Sequence, residues 1–334
     1  MTGSDGGRRG EEQRPQTLTL ALAGDTMLGR GVAEALRSRP PRSLVSDEVA
    51  AAVREADLVL LNLECCISER GTPWPAPGKP FFFRAPPQAT ELLVHLGVDC
   101  VTLANNHALD FGYDALLDTF EHLREAGVEW VGAGVDLERA RAPVVLEAAG
   151  LTLAVVAATD HPADFAAEHD RPGVAYAELH RGVPDWLFAA IRAAEADAVL
   201  VTPHWGPNMT ASPTERVRDA AAALERTDAA LVAGHSAHVF HGVGGRTLYD
   251  LGDFLDDYRV DPVLRNDLGL LFLVTVGPGG PRRVEAVPLA LDYCHTRTAD
   301  GDDARWIARR FRAACADLGT DVGEEDGRLV VTWT

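Results

Sequence analysis

The sequence predicts an α/β protein built on mixed sheets, with its chemistry gathered at strand ends, and three observations carry that prediction. Apolar runs with the length and β-branched content of buried strands recur along the chain: TLTLALA, DLVLL, VTLA, AVLVTP and AALVA. Amphipathic helical patterns separate most of these runs. Each run is followed at once by polar residues, namely Gly24-Asp25, Asn62-Leu63-Glu64, Asn105-Asn106-His107, His204-Trp205-Gly206 and Gly234-His235-Ser236-Ala237-His238. Polar residues at the ends of strands that share a sheet converge in space, so the five fragments read as one site.

In order, a strand is expected over 17–23, a helix over 47–56 and a strand over 58–61. The stretch 68–87 carries WPAPGKPFFFRAPP and is too rich in proline for regular structure, so it reads as a surface loop or a lid. A helix over 89–96, a strand over 98–103 and a strong amphipathic helix over 113–126 follow, the last with Leu116, Leu117, Phe120 and Leu123 on one face. Short strands are expected over 128–131, 143–146 and 151–157. Helices over 185–196 and 213–226 each precede a strand that ends in histidine. Strands over 270–276 and 283–289, joined by the turn GPGGP, suggest an antiparallel edge. A helix over 302–318, striped by Ile307, Phe311, Ala314 and Leu318, and the closing RLVVTWT strand complete the chain. The organisation expected is a disordered tail over 1–16, one domain over 17–298, and a cap over 299–334 on that same domain.

At 334 residues, with 46% hydrophobic and 24% charged residues, the chain has ordinary globular composition and enough length for a full core. A net charge of −19 argues against nucleic acid as a partner, because phosphate backbones require a basic surface. It does not exclude a small anionic substrate, since bound cations reverse the local field. Lys79 is the sole lysine and lies in the proline-rich loop, which disfavours amine-based covalent catalysis. The five cysteines show no CxxC spacing and no even framework, so a reducing, cytoplasmic setting is expected, with no membrane anchor. Cys65 and Cys66 read as small residues filling space behind Glu64.

Taken singly, each polar fragment has an ordinary explanation. A Gly-Asp after a strand is commonly a turn or a helix cap, and a lone histidine such as His204 is commonly a hydrogen-bonded structural residue. Asn62 and Glu64 alternate and so share one side of an extended backbone. His235 and His238 flank two small residues, which lets both rings face one point. Five such coincidences at five strand ends favour a common site, and carboxylates, asparagine and histidines are what one or two divalent cations need.

The motifs GDTMLGRGV, LLNLECCIS, LANNHALDFGYDAL with the later VGAG, TPHWGPN, VAGHSAHV and LYDLGDF follow one another over 17–291. In that order they resemble the CapA-type poly-γ-glutamate synthesis protein family of the calcineurin-like metallophosphoesterase superfamily. The resemblance implies a four-layer α/β sandwich of mixed sheets and a hydrolytic metal centre. By the same resemblance, Asp25, Glu64 and His238 hold a first metal, and Glu64, Asn106, His204 and His235 a second, with Glu64 bridging. His107 is the catalytic acid or charge stabiliser. Arg30 reads either as a clamp for an anionic group on the substrate or as a surface arginine that opens a helix.

Two departures from the family pattern matter. Met27 stands where the superfamily commonly has histidine, so a weak or empty first site is expected. Asp253 stands where the family tends to have asparagine; it either supplies the ligand that Met27 lacks or faces solvent beside Asp256 and Asp257, and an acidic run favours the solvated reading. The function expected is metal-dependent hydrolysis of a phosphoester or of an amide or γ-glutamyl bond, with Mn, Fe or Zn as cofactor and a small anionic or glutamyl-type substrate. The alternative is a non-catalytic subunit of poly-γ-glutamate biosynthesis.

Overall fold

A computed structural model describes residues 16–333. The tail expected over 1–16 therefore lies outside the described residues except for Gln16, whose amide donates to the carbonyls of Ala149 and Gly150. No helix among the described residues is long and apolar enough to cross a membrane.

Strand alternation sets the layers. In β1 (Leu18–Thr26), Leu18, Leu20 and Leu22 enter one core while Ala21 and Ala23 enter another. β2 (Leu58–Leu63) repeats this, with Leu58 and Leu60 on the first side and Val59 and Leu61 on the second. β3 (Cys100–Thr102) and β4 (Glu129–Val131) continue the sheet, and β1 to β4 all run parallel.

A smaller sheet holds β5 (Val144–Ala148), β6 (Leu151–Thr159), β7 (Ala198–His204), β8 (Leu231–Ala233) and β9 (Thr247–Leu248), paired in that order. All its pairings are parallel except β5 with β6 and the short strand beyond β9. Leu151, Leu153 and Val155 meet the leucines of β1 and β2 between the sheets, while Ala154, Val156 and Ala158 face outward.

Helices cover both outer faces, giving four layers. α1 (Arg30–Ser38), α2 (Asp47–Val53), α3 (Ala89–Leu96) and α4 (Gly112–Ala126) pack on the larger sheet. α5 (Asp185–Ala193) and α6 (Glu215–Glu225) pack on the smaller one through Leu187, Ile191, Val217 and Leu224. Each such aliphatic side chain contributes about 1.5–3 kcal/mol when fully buried.

On its other edge β1 meets a short parallel strand, β10 (Asp253–Leu255), and the antiparallel pair β11 (Leu268–Gly277) and β12 (Gly280–Asp292). α7 (Gly301–Ala316) closes the inter-sheet core with Ile307, Phe311 and Cys315, and β13 (Arg328–Thr332) pairs with β12.

Several details differ from the sequence expectations. β1, β2 and β6 run further toward their polar ends than expected, because those residues still bond neighbouring backbone, as Asp25 N–H does to the Gly252 carbonyl at 2.8 Å. The helix that Arg30 opens, one of its two sequence readings, is α1, and it buries Val32, Ala33 and Leu36 despite the Gly-Arg-Gly start. Leu117 is 37% exposed, and the inward face of α4 is Ala115, Leu116, Thr119, Phe120 and Leu123. On α7 the buried row is Ile307, Phe311 and Cys315, spaced i, i+4, i+8, so Cys315 ends the stripe where Ala314 and Leu318 were expected. The 68–87 stretch is irregular as expected, and it is closed at its base by parallel pairing of Cys66–Ile67 with Arg84–Ala85.

Candidate metal centre

The two sheets meet at the C-terminal ends of their parallel strands, where β1, β2, β7 and β8 deliver Asp25, Glu64, His204 and His235. The register of β1 on β2 slips by one residue at Gly24, so that Ala23 faces Leu61 while Asp25 faces Asn62. Gly24 is required there: a Cβ would stand 1.9 Å from the Gly252 carbonyl oxygen. A parallel bridge between His204 and His235 ties the ends of β7 and β8.

The turn after β8 carries two non-glycine residues at positive φ, Ser236 at 110° and His238 at 59°. Such conformations cost about 1–3 kcal/mol each and persist where surroundings enforce them. Here Asp250 accepts the Ala237 N–H at 2.8 Å, and Ser236 Oγ donates to the Gly206 carbonyl at 3.0 Å. The result aims both histidines at Asp25.

Asp25 sits at the middle of the cluster and is fully buried. Its Oδ1 accepts from Asn62 Nδ2 at 2.8 Å and lies 3.1 Å from His235 Nδ1. Its Oδ2 lies 3.1 Å from His238 Nδ1, which is also 2.9 Å from Asp253 Oδ1. Glu64 Oε1 lies 4.0 Å from His204 Nε2 and 3.9 Å from His107 Nε2. Asn62 Nδ2 also reaches Glu64 Oε2 at 3.4 Å, while its Oδ1 accepts from Asn105 Nδ2 at 2.9 Å.

Glu64 Oε1, Asn106 Oδ1, His204 Nε2 and Asp253 Oδ2 are all buried with no hydrogen-bond partner among the described residues. Leaving one such group unpaired costs about 1–3 kcal/mol. Among the described residues, two groups have donor atoms within 4.8 Å of one another: Asp25, Glu64 and His204, and Asp25, His238 and Asp253. Donors around one cation at about 2.0–2.2 Å each stand about 3–4 Å apart, so both groups fit a divalent ion.

Electrostatics point the same way. Burial drives Glu64 well above the carboxylate range, and the Asp25 charge adds to this. Burial likewise raises Asp253 and Asp250. At Asp25 burial also pushes upward, but hydrogen bonds from His235 and His238 prevail and hold it well below its usual value. Burial keeps His204 far below the imidazole range, neutral and with a lone pair to give. The cluster has more acid than its own histidines neutralise, and a cation relieves that imbalance.

His107 belongs to a different arrangement. Its Nδ1 is 2.6 Å from Asp110 Oδ2, its ring packs edge-on against Phe83, and its Nε2 faces Glu64. Lys79 Nζ reaches back from the proline-rich stretch to Asp110 Oδ1 at 2.9 Å and to the Asn106 carbonyl at 2.7 Å.

The structure thus brings Asp25, Glu64, His204, His235 and His238 together, with Asn106 and His107 on the adjoining turn. The carboxylate common to both groups is Asp25, where the resemblance had implied Glu64. Asp253 corrects the expectation most clearly: it is 2% exposed, because β10 pairs with β1 in the register Asp25↔Asp253 and turns the acid inward. Asp256 and Asp257 are buried as well. Arg30 opens α1, is ion-paired to Asp257 through Nε at 3.1 Å and Nη2 at 3.0 Å, and lies over the rings of Phe81, Phe83 and Tyr258. Cys65 is buried and its thiol is pushed up to about 12 by burial, so it stays protonated. Sequence reasoning gave no role to Asp110 or Asp250, and none to Asn105 beyond its place in the Asn105-Asn106-His107 fragment. Asp110 had a signal, its place three residues beyond His107 in one turn; Asp250 had none.

The model of the bacterial capsule synthesis protein PGA_cap matches residues 19–258. A probable polyglutamine synthesis accessory protein of Mycobacterium tuberculosis (strain H37Rv) is 32% identical, over 89% of this chain and 93% of its own length. The PGA biosynthesis protein CapA of Bacillus subtilis is 28% identical, over 72% of this chain and 63% of its own length. In three dimensions the chain resembles a novel phosphatase of Mycoplasma pneumoniae, with TM-score 0.52 and 13% identity over 83% of this chain and 95% of that one. That likeness concerns the fold alone. With most of its length matched by the family model and by a relative above 30% identity, the chain belongs to the bacterial capsule synthesis protein PGA_cap family.

Proposed function

We propose that the chain is a metal-dependent hydrolase acting on a phosphoester or on an amide or γ-glutamyl bond, with one or two Mn, Fe or Zn ions at the sheet junction. The observation that supports this most is the set of buried, unpartnered atoms on Glu64, His204 and Asp253 around Asp25, with that of Asn106 on the adjoining turn. Mixed oxygen and imidazole donors without a thiolate suit these metals better than Mg²⁺ or Ca²⁺. Bound there, such cations supply Lewis acidity, lowering the pKa of a water and drawing charge from the oxygens of the scissile centre.

The protein's own residues do the rest. Asn62 holds the Asp25 and Glu64 carboxylates in a fixed relation. Asp110 fixes the His107 ring through Nδ1 and leaves Nε2 facing the cleft. Burial lowers the ring's pKa, so Nε2 delivers a proton to the leaving atom, or stabilises its charge, only once the ring has become imidazolium by taking up a proton at Nε2. Lys79 neutralises Asp110 from behind. The net charge of −19 argues against a nucleic acid and leaves room for a small anionic or glutamyl-type substrate only because bound cations would reverse the local field at the site.

A second reading has its own support: the relatives are named for polyglutamine or PGA synthesis, one of them as an accessory protein. In that reading the chain is a non-catalytic subunit of polymer biosynthesis. A panel of phosphoester, amide and γ-glutamyl substrates, offered to metal-loaded protein, separates the two. Metal-dependent turnover that disappears in His107→Ala supports the hydrolase. Full metal occupancy with no turnover on any substrate overturns it in favour of the accessory role.

A further inference from the structure

We infer that Asp253 is a metal ligand and, with Asp25 and His238, forms a second cation position that Met27 does not supply. This rests on the metal-centre reading above and adds to it a ligand and a stoichiometry.

Met27 is removed from the chemistry. It is 1% exposed and packs in the core between the larger sheet and its helices. Asp253 comes to the site from the other neighbour of β1. β10 runs parallel to β1, and the Asp25↔Asp253 register sets the two acids side by side.

Hydrogen bonding alone does not satisfy this trio. His238 Nδ1 is 2.9 Å from Asp253 Oδ1 and 3.1 Å from Asp25 Oδ2, yet one ring nitrogen carries at most one proton for two carboxylates. Asp253 Oδ2 is buried with no partner among the described residues. The far ring nitrogen meets the Asn208 side-chain amide, 3.0 Å from His238 Nε2; with the proton on Nε2 and the amide turned to accept it, Nδ1 keeps the lone pair a cation needs. Two carboxylates and one imidazole, converging with a free acceptor and a net negative charge, suit a divalent ion of the Mn, Fe or Zn class. The first group, Asp25 with Glu64 and His204, shares only Asp25 with it, so the two positions form a pair bridged by that carboxylate.

The test is Mn²⁺ titration of chelator-stripped protein, read by bound metal per chain and by electron paramagnetic resonance for a coupled Mn pair. Wild type should take two ions and show coupling. Asp253→Asn, which keeps the shape of the side chain, should take one and show an uncoupled signal. His204→Ala should lose the other ion and retain the one beside His238. Two ions in Asp253→Asn, or a single ion in wild type, overturns the inference and leaves the metal-dependent reading standing. No binding in wild type overturns both. If Asp253→Asn does not fold, anomalous diffraction from wild-type crystals grown with Mn²⁺ decides: a peak within ligand distance of the Asp253 carboxylate supports the inference, and two peaks away from it overturn it.

Discussion

The two sheets bring opposite chemistries to their junction. The larger one supplies acids and amides: Asp25, Asn62, Glu64 and, beyond β3, Asn105 and Asn106. The smaller one supplies imidazoles, His204 at the end of β7 and His235 and His238 after β8. Neither set is comfortable by itself, because buried acids repel one another and a buried neutral imidazole leaves a lone pair unused. The difference teaches that the centre belongs to the junction between the sheets, and that a cation bound there also links them.

Breaking the acid side should have the largest effect. Asp25 is common to both donor groups, so Asp25→Ala should abolish metal binding, whereas His204→Ala on the imidazole side should spare the His238 group. Metal per chain after dialysis against Mn²⁺ checks this, and equal losses in the two variants would remove the asymmetry.

His107 stands on the larger sheet's side but outside the donor groups. His107→Ala should retain metal and lower turnover by about 10²–10⁴-fold, the usual contribution of a positioned acid. Metal loss in this variant would move His107 into the ligand set.

His241 offers a contrast within the smaller sheet's own loop, a buried imidazole whose charged neighbours are arginines. Burial, with Arg310 and Arg218 nearby, lowers it from 6.5 to about 4, and its Nε2 faces the Thr210 carbonyl. Its folded value is depressed, so the unfolded chain binds its proton more tightly between those values. The stability it preserves is present above 6.5 and is lost as pH falls toward about 4. The loss should reach about 3 kcal/mol, and His241→Gln should reduce it. Urea unfolding of both proteins at neutral and acid pH measures the difference; identical pH dependence would refute it.

The smallest effect is expected at Lys79. Removing the amine behind Asp110 in Lys79→Met should slow turnover by about tenfold, the scale of one charged hydrogen bond, with metal content unchanged and partial rescue in Lys79→Arg. Full activity in Lys79→Met would confine Lys79 to anchoring the proline-rich stretch.

Much of this was legible in the sequence because both layers and site follow from local pattern. The alternation in LTLALA fixes which core each side chain enters, and the polar fragments mark strand ends directly. What escaped depended on pairing across long sequence separations. Asp253 looked like one more acid in an exposed run, and only its register against Asp25 turns it inward. Lys79 looked like a loop residue, and only the return of its stretch beneath the 105–110 turn joins it to Asp110. The extent of α1 beyond Arg30 was hidden by its glycines and its shortness.

The central claim, that the sheet junction is a divalent-metal centre, is tested most directly by anomalous diffraction from crystals grown with Mn²⁺. The account predicts strong peaks between the two sheets, one contacting Glu64 and His204 and one contacting His238 and Asp253, with Asp25 touching both. A fully stripped and reloaded crystal with no peak at these residues would contradict it.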